Sequence, residues 1–162
     1  MTKRKQKEGT HMKRAYGILL VGLLSLSVLV AGCEGSGGGD SGPHMIGTGD
    51  PAIKITGVPA MDQMGSVTGV VSGVVAADYV VAMYIHVPYM GWWIKPYFQS
   101  VIAIDDDGNW DARMTTGGVD ELADQVVVYL VPHTAEADIP SLLGDENLPA
   151  SLAGYKRDVR KR

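Results

Sequence analysis

The sequence predicts an all-β protein: an antiparallel β-sandwich, immunoglobulin-like in architecture, with about seven strands and little helix. Three observations carry that expectation. Apolar residues alternate or run continuously over short stretches, as in YVVAMYIHV from Tyr79 and VVVYLV from Val126. Val, Ile, Tyr and Trp, the residues that suit a pleated and half-buried surface, dominate those stretches. Clusters of Gly, Pro and Asp interrupt the chain between them, and no long segment repeats its apolar positions with the helical period.

In chain order, residues 1–32 read as a leader rather than as part of the fold. Lys13 and Arg14 form a basic start, Tyr16–Val30 is an apolar run of 15 residues, and Val30, Ala31, Gly32 and Cys33 close it. A bilayer span needs about 20 apolar residues, so the run fits a secretion signal better than a membrane helix. Met12 gives the compact form of that signal and is the expected start. The Val-Ala-Gly-Cys ending resembles the lipobox of bacterial lipoproteins. That resemblance implies cleavage before Cys33, lipidation of its thiol, and an extracytoplasmic, membrane-anchored protein on the periplasmic or cell-surface side. Several acyl chains on one residue hold a protein stably where one chain is marginal. Cys33 is the sole cysteine, so no disulfide can form within the chain.

Residues 33–51 then form the lipidated Cys and a Gly/Ser tether, EGSGGGDSGPHMIGTGD after Cys33, with almost nothing to bury. Gly39, Asp40, Ser41, Gly42 and Pro43 resemble the nucleophile loop of trypsin-like proteases. A glycine-rich tether supplies neither a rigid oxyanion hole nor an oriented His, so no serine chemistry is expected there.

Residues 52–162 are the expected single domain. After the leader the chain carries eight bases against seventeen acids, a net charge of −9, and five of those bases lie in the final KRDVRKR. Only Lys54, Lys95 and Arg113 precede Lys156 in the body, which argues against a nucleic-acid surface. The basic tail suits contact with anionic lipid or polymer, but the favoured reading is a solvated end that keeps the last strand soluble.

Ala52–Val58 alternates Ile53 and Ile55 with polar neighbours and predicts a first strand. SVTGVVSGVV from Ser66 predicts a second, bulged or closely packed at its glycines. The central strand from Tyr79 places Val81, Met83, Ile85 and Val87 on a purely apolar face toward the core. Its other face, Val80, Ala82, Tyr84 and His86, is mixed and is expected to meet solvent or ligand. Pro88–Gly91 turns the chain into WWIKPYFQS, in which Trp92 and Ile94 face opposite to Trp93 and Lys95. Val101–Ile104 and Trp110–Met114 flank DDDGN and predict a β-hairpin with Gly108 at positive φ and Trp110 in the core. The Asp-rich turn also resembles a calcium loop, but Gly108 and the missing terminal Glu break that spacing, so a plain turn is expected. A helical turn is expected within Val119–Gln125, a doubly covered strand at Val126–Val131, loop through His133–Leu152, and a short last strand at Tyr155–Arg160.

The segments V-x-G-V-V at Val67–Val71, V-A-M-Y-I, W-W-I-K-P-Y, D-G-N-W, T-T-G-G-V-D and Y-L-V-P resemble a small β-sandwich accessory domain of secreted bacterial proteins. Such domains accompany extracellular carbohydrate-active enzymes, and the resemblance implies a non-catalytic module. The aromatic cluster Tyr89, Trp92, Trp93, Tyr97 and Phe98 fits that role, because sugar C–H faces stack on indole and phenol rings. Lys95, His86 and Gln99 would supply the polar contacts. Against this stands burial of the same aromatics in the core, which would leave a structural or protein-interaction lipoprotein of the cell envelope. The expected partners are therefore the membrane, through Cys33, and a polysaccharide or an envelope protein. No metal site, cofactor or catalytic constellation is expected, since His86 and His133 lack ligand spacing and no paired carboxylates are suggested.

Overall fold

The computed structural model describes residues 45–46 as backbone and residues 49–98 and 100–162 in full. The leader, Cys33 and Gln99 lie outside the described residues. In chain order the strands are β1 Met45–Ile46, β2 Ala52–Gly57, β3 Ser66–Ser72, β4 Val74–Val75, β5 Tyr79–Val87, β6 Gly91–Lys95, β7 Asn109–Arg113, β8 Gln125–Pro132, β9 Leu143–Asp145 and β10 Lys156–Lys161. Seven of them have five residues or more; β1, β4 and β9 have two or three.

The two longest strands organise the rest. β5 and β8 pair antiparallel from Tyr79↔Pro132 to His86↔Gln125, and their β-branched, nearly continuous apolar sequence leaves both faces in need of cover. β10 adds beside β8 and β6 beside β5, with β9 beyond β6, giving the order β10-β8-β5-β6-β9. β2, β3 and β7 form the second sheet, also antiparallel. In immunoglobulin lettering this places A, B and E in one sheet and G, F, C and C′ in the other, so the fold is an all-β sandwich.

Between the sheets lies the first core. Alternate residues of β2 and β3 (Ile53, Ile55, Val67, Val71) meet Val81, Met83 and Ile85 of β5 and Val126, Val128 and Leu130 of β8. Trp110 belongs to this core, as expected, and Gly69 opposite it on β3 makes room for the ring. A Cβ at Gly69 would run into the Trp110 indole and the Lys54 carbonyl. The sheets meet along β2 and β10, which run side by side in the same direction. Here side chains replace a backbone ladder: Ile55 N–H donates to Asp158 Oδ2 (2.8 Å) and Arg160 Nη2 donates to the Ile55 carbonyl (3.1 Å).

The basic tail therefore has a larger part than a solvated end. Arg162 donates to the carbonyls of Pro59 (2.8 Å), Glu121 (3.0 Å), Ala123 (2.8 Å) and Ala60, tying two loops to the end of β10. Burial pulls its guanidinium below the ordinary value while nearby Asp62 opposes that shift.

A second core corrects the expectation for the mixed face of β5. Val80, Ala82 and Tyr84 are at most 2% exposed, and with Val127, Tyr129, Val131, Trp92 and Ile94 they lie under the connection from β8 to β10. That connection was expected to be loop. It holds 3-10 turns at His133–Asp138 and Ala150–Leu152, places β9 against β6, and inserts Leu142 and Leu152 into the sheet face. Tyr84 can be buried because its hydroxyl donates to the Pro140 carbonyl (2.8 Å) and its ring meets Tyr129 edge to face, centroids 6.1 Å apart. Burial, with Tyr129 adding to it, holds the Tyr84 phenol well above its usual pKa, so it stays a donor.

Two further expectations change. Val101–Ile104 is not a hairpin arm of β7, because Ile102 bridges instead to Val81 of the other sheet, with both N–H···O bonds at 2.9 Å. The turn itself is as expected: Gly108 has φ +86° and Asp107 accepts from Asn109 N–H (3.1 Å) and Nδ2 (2.7 Å). β1 also falls inside the segment expected to be tether, where Met45 and Ile46 are the one apolar pair and face Val75 and Val74 across a two-residue ladder.

The second core yields a direct test. Leu152 is fully buried and Leu143 is 57% exposed. Leu152→Ala is expected to cost about 2–5 kcal/mol in denaturant unfolding, and Leu143→Ala to stay within about 0.5 kcal/mol. Equal, small effects would mean that the β8–β10 connection does not cover the sheet.

Candidate functional site

β6 reads Gly-Trp-Trp-Ile-Lys, and the strand period sends its residues alternately to the two faces. Trp92 and Ile94 point outward beneath the β8–β10 connection, and Trp92 is 8% exposed. Trp93 and Lys95 point inward. The three-stranded sheet ends at β7, so the connection after β7 lies against the inward side of β6 in place of a further strand. A cleft of about 390 Å³ remains there, lined by Val87, Met90, Trp93 and Lys95 on one side and Thr116–Asp120 on the other. That volume is within the range of small-ligand sites, roughly 300–1,000 Å³.

One wall of the cleft is aromatic. The Trp93 indole is half-buried, its Nε1 donates to the Met90 carbonyl (3.2 Å), and the backbone of β9 closes on the ring at Gly144. The polar end is a buried ion pair. Lys95 Nζ and Asp120 Oδ2 are 2.5 Å apart, with side-chain exposures of 8% and 9%. Lys95 also donates to Thr116 Oγ1 (2.9 Å), and Thr116 Oγ1 donates on to Asp120 Oδ2 (3.1 Å). Thr116 N–H (2.9 Å) and Gly117 N–H (3.2 Å) complete the set, so Asp120 Oδ2 gathers four donors. This network folds the Thr116–Asp120 turn onto the end of β6 and compensates a lysine that strand alternation drives inward.

No known protein family, curated protein or solved structure matches this chain.

The structure divides the residues expected to form one site among separate places. Trp93 and Lys95 share the cleft. Trp92 and His86 meet on the opposite face, ring centroids 5.0 Å apart, and His86 Nδ1 is 2.7 Å from Asp124 Oδ1. Tyr89 is wholly exposed at φ +65° in the β5–β6 turn. Tyr97 and Phe98, 61% and 58% exposed, lie past the far end of β6, with Tyr97 lining a separate groove beside Arg113. A strand of five residues is roughly 16 Å long, which keeps Tyr89 and Tyr97 apart.

Asp120 and Thr116 were not among the expected site residues. Their signal was nevertheless present: a lysine at an inward position of an apolar strand, in a body with few other bases, requires a buried acid.

A larger groove, about 480 Å³, is lined by Ser100, His133 and Glu136, with His133 Nδ1 3.0 Å from Glu136 Oε2. The pair is half-exposed, and no bond joins Ser100 to His133 among the described residues. Among the described residues no three His, Cys, Asp or Glu side chains converge as a metal site.

The ion pair predicts non-additive stability effects. Lys95→Met alone leaves Asp120 buried and unpaired and is expected to cost about 3–5 kcal/mol. Lys95→Met with Asp120→Asn is expected to recover a large part of that loss, because Asn retains an acceptor oxygen for Thr116 and Gly117. Additive losses in urea unfolding would show that the two side chains are not coupled.

Proposed function

We propose that the chain is a lipid-anchored, extracytoplasmic, non-catalytic module that binds polysaccharide in the Trp93 cleft. The observation that carries the reading is the pairing, in one cleft, of a half-buried indole wall with a buried, hydrogen-bonded Lys95–Thr116–Asp120 network. Sugar recognition uses both elements, an aromatic face for the C–H side of the ring and fixed polar groups for its hydroxyls. The likeness of W-W-I-K-P-Y and Y-L-V-P to accessory domains of secreted enzymes supports the same reading.

The direction of the fold suits display from a tether. β2 runs alongside β10, and β10 ends beside Gln125, which is opposite His86 near the β5–β6 turn. The chain therefore enters β2 at the end of the sandwich away from that turn, and the Val87 and Met90 side of the cleft faces away from the entry point. No helix among the described residues is long and apolar enough to cross a membrane. Attachment is assigned to the lipidated Cys33.

A second reading, an envelope protein-interaction module, draws support from exposed Tyr89, Met90 and Leu143 along the same edge. Acrylamide quenching of tryptophan emission separates the two. Trp93 is expected to be the quenchable indole, and a bound polymer to protect it. Trp93→Ala is expected to weaken polymer binding about tenfold or more, and Trp92→Phe to leave it unchanged. Quenching that no polysaccharide alters would favour the protein-interaction reading. Cys33→Ser is expected to move the protein from the membrane fraction to the soluble fraction, and retention in the membrane would contradict the anchor.

A further inference from the structure

We infer that Lys95 and Asp120 form the polar half of a subsite for one uncharged sugar ring carrying two adjacent hydroxyls, with Trp93 as its stacking wall. The inference rests on the saccharide reading above. It goes further by naming the atoms of Lys95 and Asp120 that meet the ligand, and the ligand class.

All four bonds to Asp120 end on Oδ2, and none of the described bonds ends on Oδ1. Oδ1 is not sealed in the protein either, because the buried side-chain polar atom left without a partner among the described residues is Trp110 Nε1. Asp120 thus keeps a solvent-reached acceptor beside the cleft it lines. On the other side of the pair, an ammonium has three protons. Lys95 spends two of them, on Thr116 Oγ1 and Asp120 Oδ2. The pair therefore keeps one acceptor and one donor without a described partner, each on a charged group that lines the cleft.

Two hydroxyls on neighbouring ring carbons complement that arrangement. One donates to Oδ1 while the other accepts from Nζ, and both bonds are charge-assisted. Carboxylated sugars are disfavoured by the same groups. Lys95 is already neutralised by Asp120, the other lining residues are uncharged, and the chain after the leader carries a net −9. An added anion finds no unpaired cation in the cleft and meets Asp120 directly.

The test uses the full chain in micelles of a detergent without a sugar headgroup, followed by titration calorimetry. The probes are four-linked neutral glucan, galactan and mannan oligosaccharides, whose second and third carbons carry adjacent hydroxyls. Controls are a three-linked glucan, which has no adjacent pair inside its chain, and polygalacturonate. At least one four-linked neutral polymer is expected to bind, at least about tenfold tighter than either control. Its affinity is expected to change less than about twofold between about 0.05 and 0.5 M salt, over which the Debye length falls roughly threefold. Asp120→Asn is expected to weaken that binding about tenfold. If the variant does not fold, the ligand comparison on the native chain still decides. Tightest binding to polygalacturonate, weakening with salt, would overturn the uncharged-ligand inference and leave the saccharide reading standing. Equal binding of the three-linked glucan would overturn the adjacent-hydroxyl subsite. Binding to no polymer would remove the saccharide reading itself.

Discussion

The constraint on which the structure depends is that β5 and β8 are apolar on both faces. A strand pair of this kind is stable only when both sides are removed from water, and each fully buried Val, Ile or Leu contributes roughly 1.5–3 kcal/mol relative to exposure. One side is covered by β2, β3 and β7, as in any two-sheet sandwich. The other is covered by the β8–β10 connection, which has only two 3-10 turns and the three-residue β9 as regular structure yet delivers Leu142 and Leu152 into the sheet face. Trp92 is drawn into this second layer because strand alternation at β6 gives it the same face as Tyr84 and Tyr129. The consequence reaches the site. With Trp92 committed outward, Trp93 and Lys95 must point inward, at the one edge of the sandwich where the smaller sheet has already ended.

That edge explains why a charge can be buried there. Lysine inside a sandwich is costly unless paired and hydrogen-bonded. Asp120, at the start of a short 3-10 turn, and Thr116, four residues before it, meet that requirement. Elsewhere the protein closes its edges with side chains. Asp158 and Arg160 satisfy Ile55 where two parallel-running edge strands lack a ladder, and Arg162 gathers carbonyls from two loops. Late basic residues thus act as fasteners, which relates the composition of the tail to the closure of the sandwich.

The strands were legible where period and composition agreed. Ile53 and Ile55, the Val67–Val71 run, and the continuous β8 sequence each name their strand and their inward residues. The outer core was not legible, because Leu142, Leu148 and Leu152 are spaced by turns and prolines and carry no period to read. The bridge from Ile102 to Val81 was equally hidden: DDDGN signals a reversal, but nothing local says that the preceding arm belongs to the opposite sheet. For the site, alternation separated Trp92 from Trp93, while sequence proximity falsely grouped Tyr89 with Tyr97 at opposite ends of one strand. Asp120 is 25 residues from Lys95, a long-range pairing that only the fold brings within 2.5 Å.

The measurement to make is nuclear magnetic resonance of the nitrogen-labelled chain, following the three indole N–H signals as a neutral four-linked oligosaccharide is added. Trp93 lines the cleft, whereas Trp92 and Trp110 are buried in separate cores. Movement of the Trp93 signal together with the Thr116 and Gly117 backbone signals, with Trp92 and Trp110 unmoved, is the expected result. Movement of Trp92 in place of Trp93, or three unmoved indoles with a polymer that demonstrably binds, would contradict the assignment of the cleft.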